Sequence, residues 1–368
     1  MTEDPHQSNR PALDGKPRRP WIVWTSITVA VLALVYSGVW LIIAERTETL
    51  VQTWIAYWSG GPGVPGVIKH SGLKVEGFPF EIRVVLNQPH YSKIEPGRVI
   101  RARADRLSVV ARVWAPARLE GTGEGAVIVE HSTGIKVTTR LTASSMTQRL
   151  DLDTSGRVHA TALVALGLVA ETVAGETVHP IGRAETGRFW LDLPKKDISR
   201  GEAGASPITV RGRVLLEAMR PGGTPPFGLT EPARLSATLA LRGALGSTSM
   251  ADLVDWRDAG GTIDVEELEV DWAPVSVQAN ATLALDVGLQ PMGAGTAEIR
   301  GLSTIIERVE ANGELQPDQA SIARLMLAAF TRPASDGGAP AVQMPITVQN
   351  RDLSLGPFKL FRLPRAVW

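Results

Sequence analysis

The sequence predicts an α+β protein, mainly antiparallel β, behind a single transmembrane helix. Three observations predict it. One apolar run near the N-terminus is long enough to cross a bilayer. Most of the remaining chain alternates apolar and polar residues with a period of two, the pattern of strands with one dry and one wet face. Helical patterns are few and short. The expected outer body is elongated and curved, with two similar halves and a few short helices.

Composition excludes several classes. The 368 residues carry 38 Lys+Arg and 38 Asp+Glu, so the formal net charge is zero. Nucleic-acid binders usually carry a basic excess, so no nucleic-acid partner is expected. The chain has no cysteine, which excludes disulfides and thiolate-ligated metals. A hydrophobic fraction of 44% is enough for a real core.

Taken in order, residues 1–20 are polar and proline-bearing and read as a cytoplasmic disordered tail. Residues 21–44 hold neither charge nor proline. A helix of that length spans roughly 36 Å at ~1.5 Å per residue, against about 30 Å of hydrocarbon. A signal peptide has a shorter apolar region and a small-x-small cleavage site, whereas this run ends Leu41-Ile42-Ile43-Ala44. An uncleaved anchor is therefore expected, with Trp21, Trp24 and Trp40 at the two interfaces. Lys16, Arg18 and Arg19 precede it, and Glu45, Arg46 and Glu48 follow. The positive-inside rule then puts everything after Ala44 across the membrane.

Residues 45–66 read as a juxtamembrane helix and a Gly/Pro linker. Leu50, Trp54, Tyr57 and Trp58 have helical spacing and suit an amphipathic turn or two near the headgroups. Gly60-Gly61-Pro62-Gly63-Val64-Pro65-Gly66 is a breaker. Its formal G-x-G-x-x-G lacks the strand before and the helix after that a dinucleotide site needs.

Residues 67–368 form the β-rich domain, with halves at 67–200 and 201–368. Ile82, Val84 and Leu86 alternate with polar neighbours. So do Leu107, Val109, Ala111 and Val113; Val158, Ala160, Ala162 and Val164; and Leu235, Ala237, Leu239 and Leu241. The longest run, 275–287, makes a strand of roughly 43 Å at ~3.3 Å per residue. Its Val275, Val277, Ala279, Ala281, Leu283 and Leu285 are the candidates to line an apolar concavity and touch acyl chains. Short helices fit Ser249–Ala259, stopped by Gly260-Gly261, and Ser303–Ala311, stopped before Gly313. A third opens at Pro317-Asp318, with Ile322, Leu325, Met326, Ala329 and Phe330 as its apolar stripe and Pro333 as its stop. Residues 332–341 read as a loop, and strands follow at Met344–Val348 and Leu353–Leu360. Trp114-Ala115-Pro116 and Trp272-Ala273-Pro274 repeat one tripeptide, which motivates the two halves.

No catalytic constellation is visible, and the protein is expected not to be an enzyme. His6, His70, His90, His131, His159 and His179 show no metal-ligand spacing, and no nucleophile elbow or P-loop occurs. Asp264, Glu266, Glu267, Glu269 and Asp271 divide between the two faces of a strand, which argues against Ca²⁺. Arg98, Arg101, Arg103 and Arg106 suit ordinary surface charge or headgroup contact. The sequon Asn280-Ala281-Thr282 falls inside a strand pattern. No metal or cofactor is expected.

Several short motifs carry a resemblance. Gly77-Phe78-Pro79-Phe80 before an alternating strand, the Trp-Ala-Pro turns, the Ala259-Gly260-Gly261 helix stop and Leu289-Gln290-Pro291-Met292-Gly293 resemble the bacterial domain-of-unknown-function 2125 proteins, from about Gly66 onward. More remotely, the C-terminal half is similar to the AsmA-like envelope proteins. The resemblance implies a bacterial inner-membrane location, a periplasmic body, and a hydrophobic groove for phospholipid serving envelope homeostasis. The expected partners are the phospholipid bilayer, a bound lipid or an envelope protein. The alternative is a structural or adaptor module that docks another envelope protein through a sheet edge or Trp54 and Trp58.

Overall fold

The computed structural model describes residues 20–59, 66–95, 98–133, 137–193, 206–223, 229–246, 249–313, 316–332, 341–363 and 365–366. The expected tail, most of the Gly60–Gly66 breaker with its glycine motif, most of the loop after Arg332, and the side chains of Trp21, Trp24 and Trp58 lie outside the described residues.

Helix α1 (Pro20–Trp58) starts on a proline, whose missing N–H would be unbonded there anyway. Its 39 residues span about 58 Å at ~1.5 Å per residue. The helix is long and apolar enough to cross a membrane, a test that a signal sequence also passes. The expected amphipathic turn near the headgroups is not separate from it. Glu45 to Trp58 continue the same helix onto the β body, where Ile55 is buried.

The strands begin as five broken pairs. Each pair is two limbs of one long strand: β1 (Gly66–Lys69) with β2 (Gly72–Glu76), β3 (Glu81–Asn87) with β4 (His90–Glu95), β5 (Arg98–Arg103) with β6 (Arg106–Arg112), β7 (Ala115–Glu124) with β8 (Val127–Thr133), and β9 (Val137–Ala143) with β10 (Ser145–Leu152). Next come β11 (Val158–Ala174), β12 (Thr177–Asp192), β13 (Ile208–Pro221) and β14 (Ala233–Arg242). Helix α2 (Met250–Asp258) leads into β15 (Thr262–Trp272), β16 (Val275–Leu285) and β17 (Pro291–Arg300). Helices α3 (Leu302–Ala311) and α4 (Pro317–Phe330) precede β18 (Thr331–Arg332), β19 (Ala341–Gln349), β20 (Asp352–Leu355) and β21 (Phe358–Arg362). All pairings among the described residues are antiparallel, and the chain winds as one meander in a single sheet.

The breaks line up. One set of limbs (β2, β3, β6, β7, β10) leads to the N-terminal part of β11, and the other (β1, β4, β5, β8, β9) leads to its C-terminal part. Between them runs a crease through Ser71, Gln88-Pro89, Ala104-Asp105, Gly125-Ala126, Ser144 and Gly167. Its residues bond across it: Gln88 N–H to the Asp105 carbonyl at 2.8 Å, Ala126 N–H to Asp105 Oδ2 at 3.3 Å, and Ser144 N–H to the Leu166 carbonyl at 2.9 Å. Gln88, Gly125, Gly167 and, farther along, Ala218 take φ of 47°, 76°, 57° and 52°, which bends each strand at the same level. Val127, Ala143 and Ala165 are buried in the crook, against Ala104, Met146 and Leu168.

Helices α2, α3 and α4 match the expected spans to within a residue or two, because their ends are set locally. The Ser249 hydroxyl accepts from Asp252 N–H at 3.2 Å, and Gly260 follows with φ of 75°. Elsewhere tertiary pairing overrides the pattern. The run 275–287 stops at Leu285, where Asp286 turns the chain by accepting from Gly288 and Gln290 N–H, each at 2.8 Å, and Val287 is left exposed. In β11 the dry row is Thr161, Leu163 and Ala165, whereas Ala162 and Val164 face Arg149 and Arg188 on the wet side. A bulge after Val265 carries Asp264, Glu267, Glu269 and Asp271 to one wet face instead of two. On α4, Ala320 packs while Ile322, Leu325 and Phe330 are exposed, the reverse of the expected stripe. The final run is two short strands, β20 and β21, around a tight turn. The two Trp-Ala-Pro tripeptides sit at opposite ends of the sheet, Trp114 exposed in a turn and Trp272 closing β15.

Gly293 and Gly295 of β17 lie close against the backbone of β16. A Cβ on Gly295 would stand 1.9 Å from the Asn280 carbonyl and 2.6 Å from Ala281 Cα, both backbone atoms that no rotamer change can move. Gly295→Val is expected to destabilise the fold by about 3 kcal/mol, at the upper end of overpacking costs. Gly212→Ala is the control, because its Cβ would meet Leu191 and Trp190 atoms only at 3.8 Å. Chemical denaturation in detergent reads both; equal midpoints would refute the tight approach.

Candidate functional site

One face of the sheet is apolar from edge to edge. Following directly opposed residues across the strands gives Leu73, Leu86, Leu107, Gly123, Met146, Ala165, Gly187, Leu216, Leu235, Val270, Val277, Ile299 and Val342. All thirteen are apolar or glycine. The next row runs through Val84, Val109, Leu163, Phe189, Val214, Ala237, Leu268, Ala279, Ala297 and Met344, with Gln148 its one polar member. Thirteen strands at about 4.8 Å spacing make a track roughly 58 Å long.

The opposite face is charged. Arg112 pairs across strands with Glu120 at 2.6 Å, Arg118 with Asp151 at 2.9 Å and Arg188 with Glu217 at 2.7 Å, while Arg300 pairs at 2.7 Å with Glu298 on its own strand. The Arg112 bond holds the Glu120 carboxyl below its ordinary range, and Arg118 does the same for Asp151. In the turn after β10, Asp153 accepts from Ser155 Oγ and from Ser155 and Arg157 N–H, and its pKa falls to about 2.

Among the described residues, three parts of the apolar face are covered. Helix α1 lies over the crease, and between them is a cavity of about 420 Å³, within the range of ligand pockets. Val51, Trp54 and Ile55 of α1 form one wall; Ile68, Leu86, Tyr91, Ala102, Leu107, Val127 and Met146 form the other, with His90 and Arg103 as polar members. Residues from both limbs line this one space, so the apolar face is the concave one. Helix α2 plugs a second part: Trp256 and Leu253 are buried against Leu285 and Leu289. The α3–α4 pair packs at the end of β19, where Ala341, Val342 and Met344 are buried. Between these covers the row residues are mostly half-buried, Leu239 is exposed, and a shallow groove of about 150 Å³ runs over Val265, Ala279, Ala281, Leu283, Gly293 and Ile346.

The six candidates on β16 share this face. Ala279, Ala281 and Leu283 line the shallow groove; Val275 and Val277 are half-buried nearer Trp272 and Ile299. Leu285 is buried under α2, so the open stretch ends at Leu283. The larger cavity under α1 was not among the candidates. Its sequence signals were turn-type residues inside alternating runs, such as Gln88-Pro89 and Gly125-Ala126. Trp40 packs on the turn before β3: its ring meets Phe78 edge-on at 5.4 Å and its Nε1 donates to the Glu81 carbonyl at 3.2 Å. Arg103 reaches the cavity and Arg106 pairs with Glu124 and Glu76, while the Arg98 side chain lies outside the described residues.

Among the described residues, no three His, Cys, Asp or Glu side chains come together as a metal site. No curated protein and no solved structure matches the chain. A family model, described as an uncharacterized protein conserved in bacteria (DUF2125), matches residues 40–364. That span holds the crease, the track and all three covers, and the chain belongs to this family.

Proposed function

We propose that this is a single-pass bacterial inner-membrane protein that holds lipid acyl chains on the concave face of a periplasmic sheet and serves envelope homeostasis. The observation that carries the reading is the apolar row that crosses thirteen strands and begins under the helix that would enter the bilayer. A sheet with one apolar face must bury it against something, and among the described residues the helices cover three parts of it. An acyl chain on the rest gains roughly 25 cal/mol per Å² buried. The two-halves organisation is not needed for this.

Photocrosslinking in cells tests it. A benzophenone amino acid at Leu239, on the apolar face, is expected to capture phospholipid; the same group at neighbouring Thr238, on the wet face, is not. Lipid adducts at neither position, or equally at both, would refute the proposal. A protein adduct in place of lipid would favour the adaptor reading, for which the exposed Ile322 and Leu325 of α4 offer a surface.

A further inference from the structure

The turn Gly77-Phe78-Pro79-Phe80, between β2 and β3, is not used by the track. It packs against α1 well inside the apolar run: the Tyr36 hydroxyl donates to the Pro79 carbonyl, Phe78 lies 6.4 Å from the Tyr36 ring, and Trp40 reaches Phe78 and Glu81. The next turn at this end of the sheet stands beside it. Val113 N–H donates to the Phe80 carbonyl at 3.2 Å, and the Phe80 and Trp114 rings are 6.4 Å apart. Yet Phe78, Phe80, Val113 and Trp114 are 53%, 64%, 52% and 68% exposed. Four large apolar side chains on two adjacent turn tips face outward together.

The level of these tips decides what covers them. Tyr36 and Trp40 lie eight and four residues before Ala44, the last residue of the apolar run. At ~1.5 Å per residue they stand about 12 Å and 6 Å below it along the helix. If α1 is in a bilayer, the tips are at the boundary between headgroups and acyl chains, where aromatic side chains concentrate and where peripheral apolar faces insert about 5–10 Å.

Resting on the reading of α1 as an anchor, we propose that the turns at 77–80 and 113–114 form a second membrane contact, an aromatic wedge in the outer leaflet of the same bilayer. The wedge pins the body by its end instead of leaving it to swing on one helix. It also sets the β2–β3 and β6–β7 end of the sheet into the lipid, below the cavity under α1. The occupant follows from continuity with the apolar flank of α1, not from charge, since Arg112 and Arg118 are already paired with Glu120 and Asp151.

The absence of cysteine makes the test clean, because one introduced thiol is the only labelling site. The full chain is placed in phosphatidylethanolamine/phosphatidylglycerol vesicles with an environment-sensitive fluorophore at Phe80→Cys, Trp114→Cys, Leu34→Cys or Ser155→Cys. Leu34 is 73% exposed on α1 and reports the anchor; Ser155, in the polar turn after β10, reports water at the same end of the sheet. The tip labels are expected to be quenched by a lipid carrying a nitroxide near its glycerol at least about threefold more than Ser155, as a depth of 5–10 Å requires. Quenching at Leu34 with tips that behave like Ser155 would overturn the wedge and leave the anchor standing. Iodide reaching Leu34 from water would refute the anchor, and the wedge with it. Tips shielded from both quenchers would mean that protein covers them, which also overturns the wedge.

Discussion

Trp256→Ala is expected to cost about 3–5 kcal/mol of stability, the range for removing a buried large aromatic side chain. Trp256 is 3% exposed and packs with Leu253, Leu285 and Leu289, flanked by Leu241, Leu245 and Ile263. Its Nε1 donates to the Arg242 carbonyl at 2.8 Å, so truncation also leaves a half-buried acceptor without this donor. The ring lies on Gly261, where a Cβ would come within 2.2 Å of it. A nine-residue helix has almost no stability of its own, so α2 holds to the sheet through these contacts. The loss should be local first. Amide exchange in α2 and at Leu285 and Leu289 is expected to accelerate, while β7, β10 and β11 keep their protection. A fall of less than about 1 kcal/mol in the opening free energy of α2, read from these exchange rates, would show that the cluster is not the clamp described.

That cluster also marks how far local pattern reaches. The end of α2 was readable because Ser249, Gly260 and Gly261 act on the helix nearest them. The alternation of β16 was readable because side-chain direction has period two in any strand. What pairing decides was not readable. Ala160, Ala162 and Val164 look like a dry face until β11 meets Arg149 and Arg188. Leu325 looks buried until α4 presents Ala320 instead. The crease is least visible of all. At Ser144, one unremarkable serine bends the chain because Gly167 sits opposite and takes φ of 57°. The site had the same mixed fate. Ala279, Ala281 and Leu283 could be named from one strand, but the cavity under α1 needs residues from α1 and both limbs, brought together only by the bend.

A single charge in the middle of the track is expected to divide it. Val214 of β13 is half-buried on the apolar face, between Phe189 and Ala237, midway from the α1 cavity to the groove at Leu283. If lipid enters beside α1 and moves along the face, Val214→Asp sets a carboxylate against its acyl chain. An acidic side chain in hydrocarbon costs about 3 kcal/mol, and every 1.4 kcal/mol is tenfold, so occupancy beyond β13 should fall by about a hundredfold. A benzophenone at Leu283 is therefore expected to lose its lipid adduct, while one at Leu107, in the cavity under α1, keeps it. Two controls separate the charge from mere damage. Val214→Thr keeps the shape and should keep most of the labelling at Leu283. Arg213→Asp puts the same carboxylate one residue away on the wet face, opposite Trp190 and Thr238, and should leave both reporters unchanged. Equal labelling at Leu283 with and without the Val214 carboxylate would mean that lipid does not travel this face. Loss at both reporters would mean that it does not enter under α1.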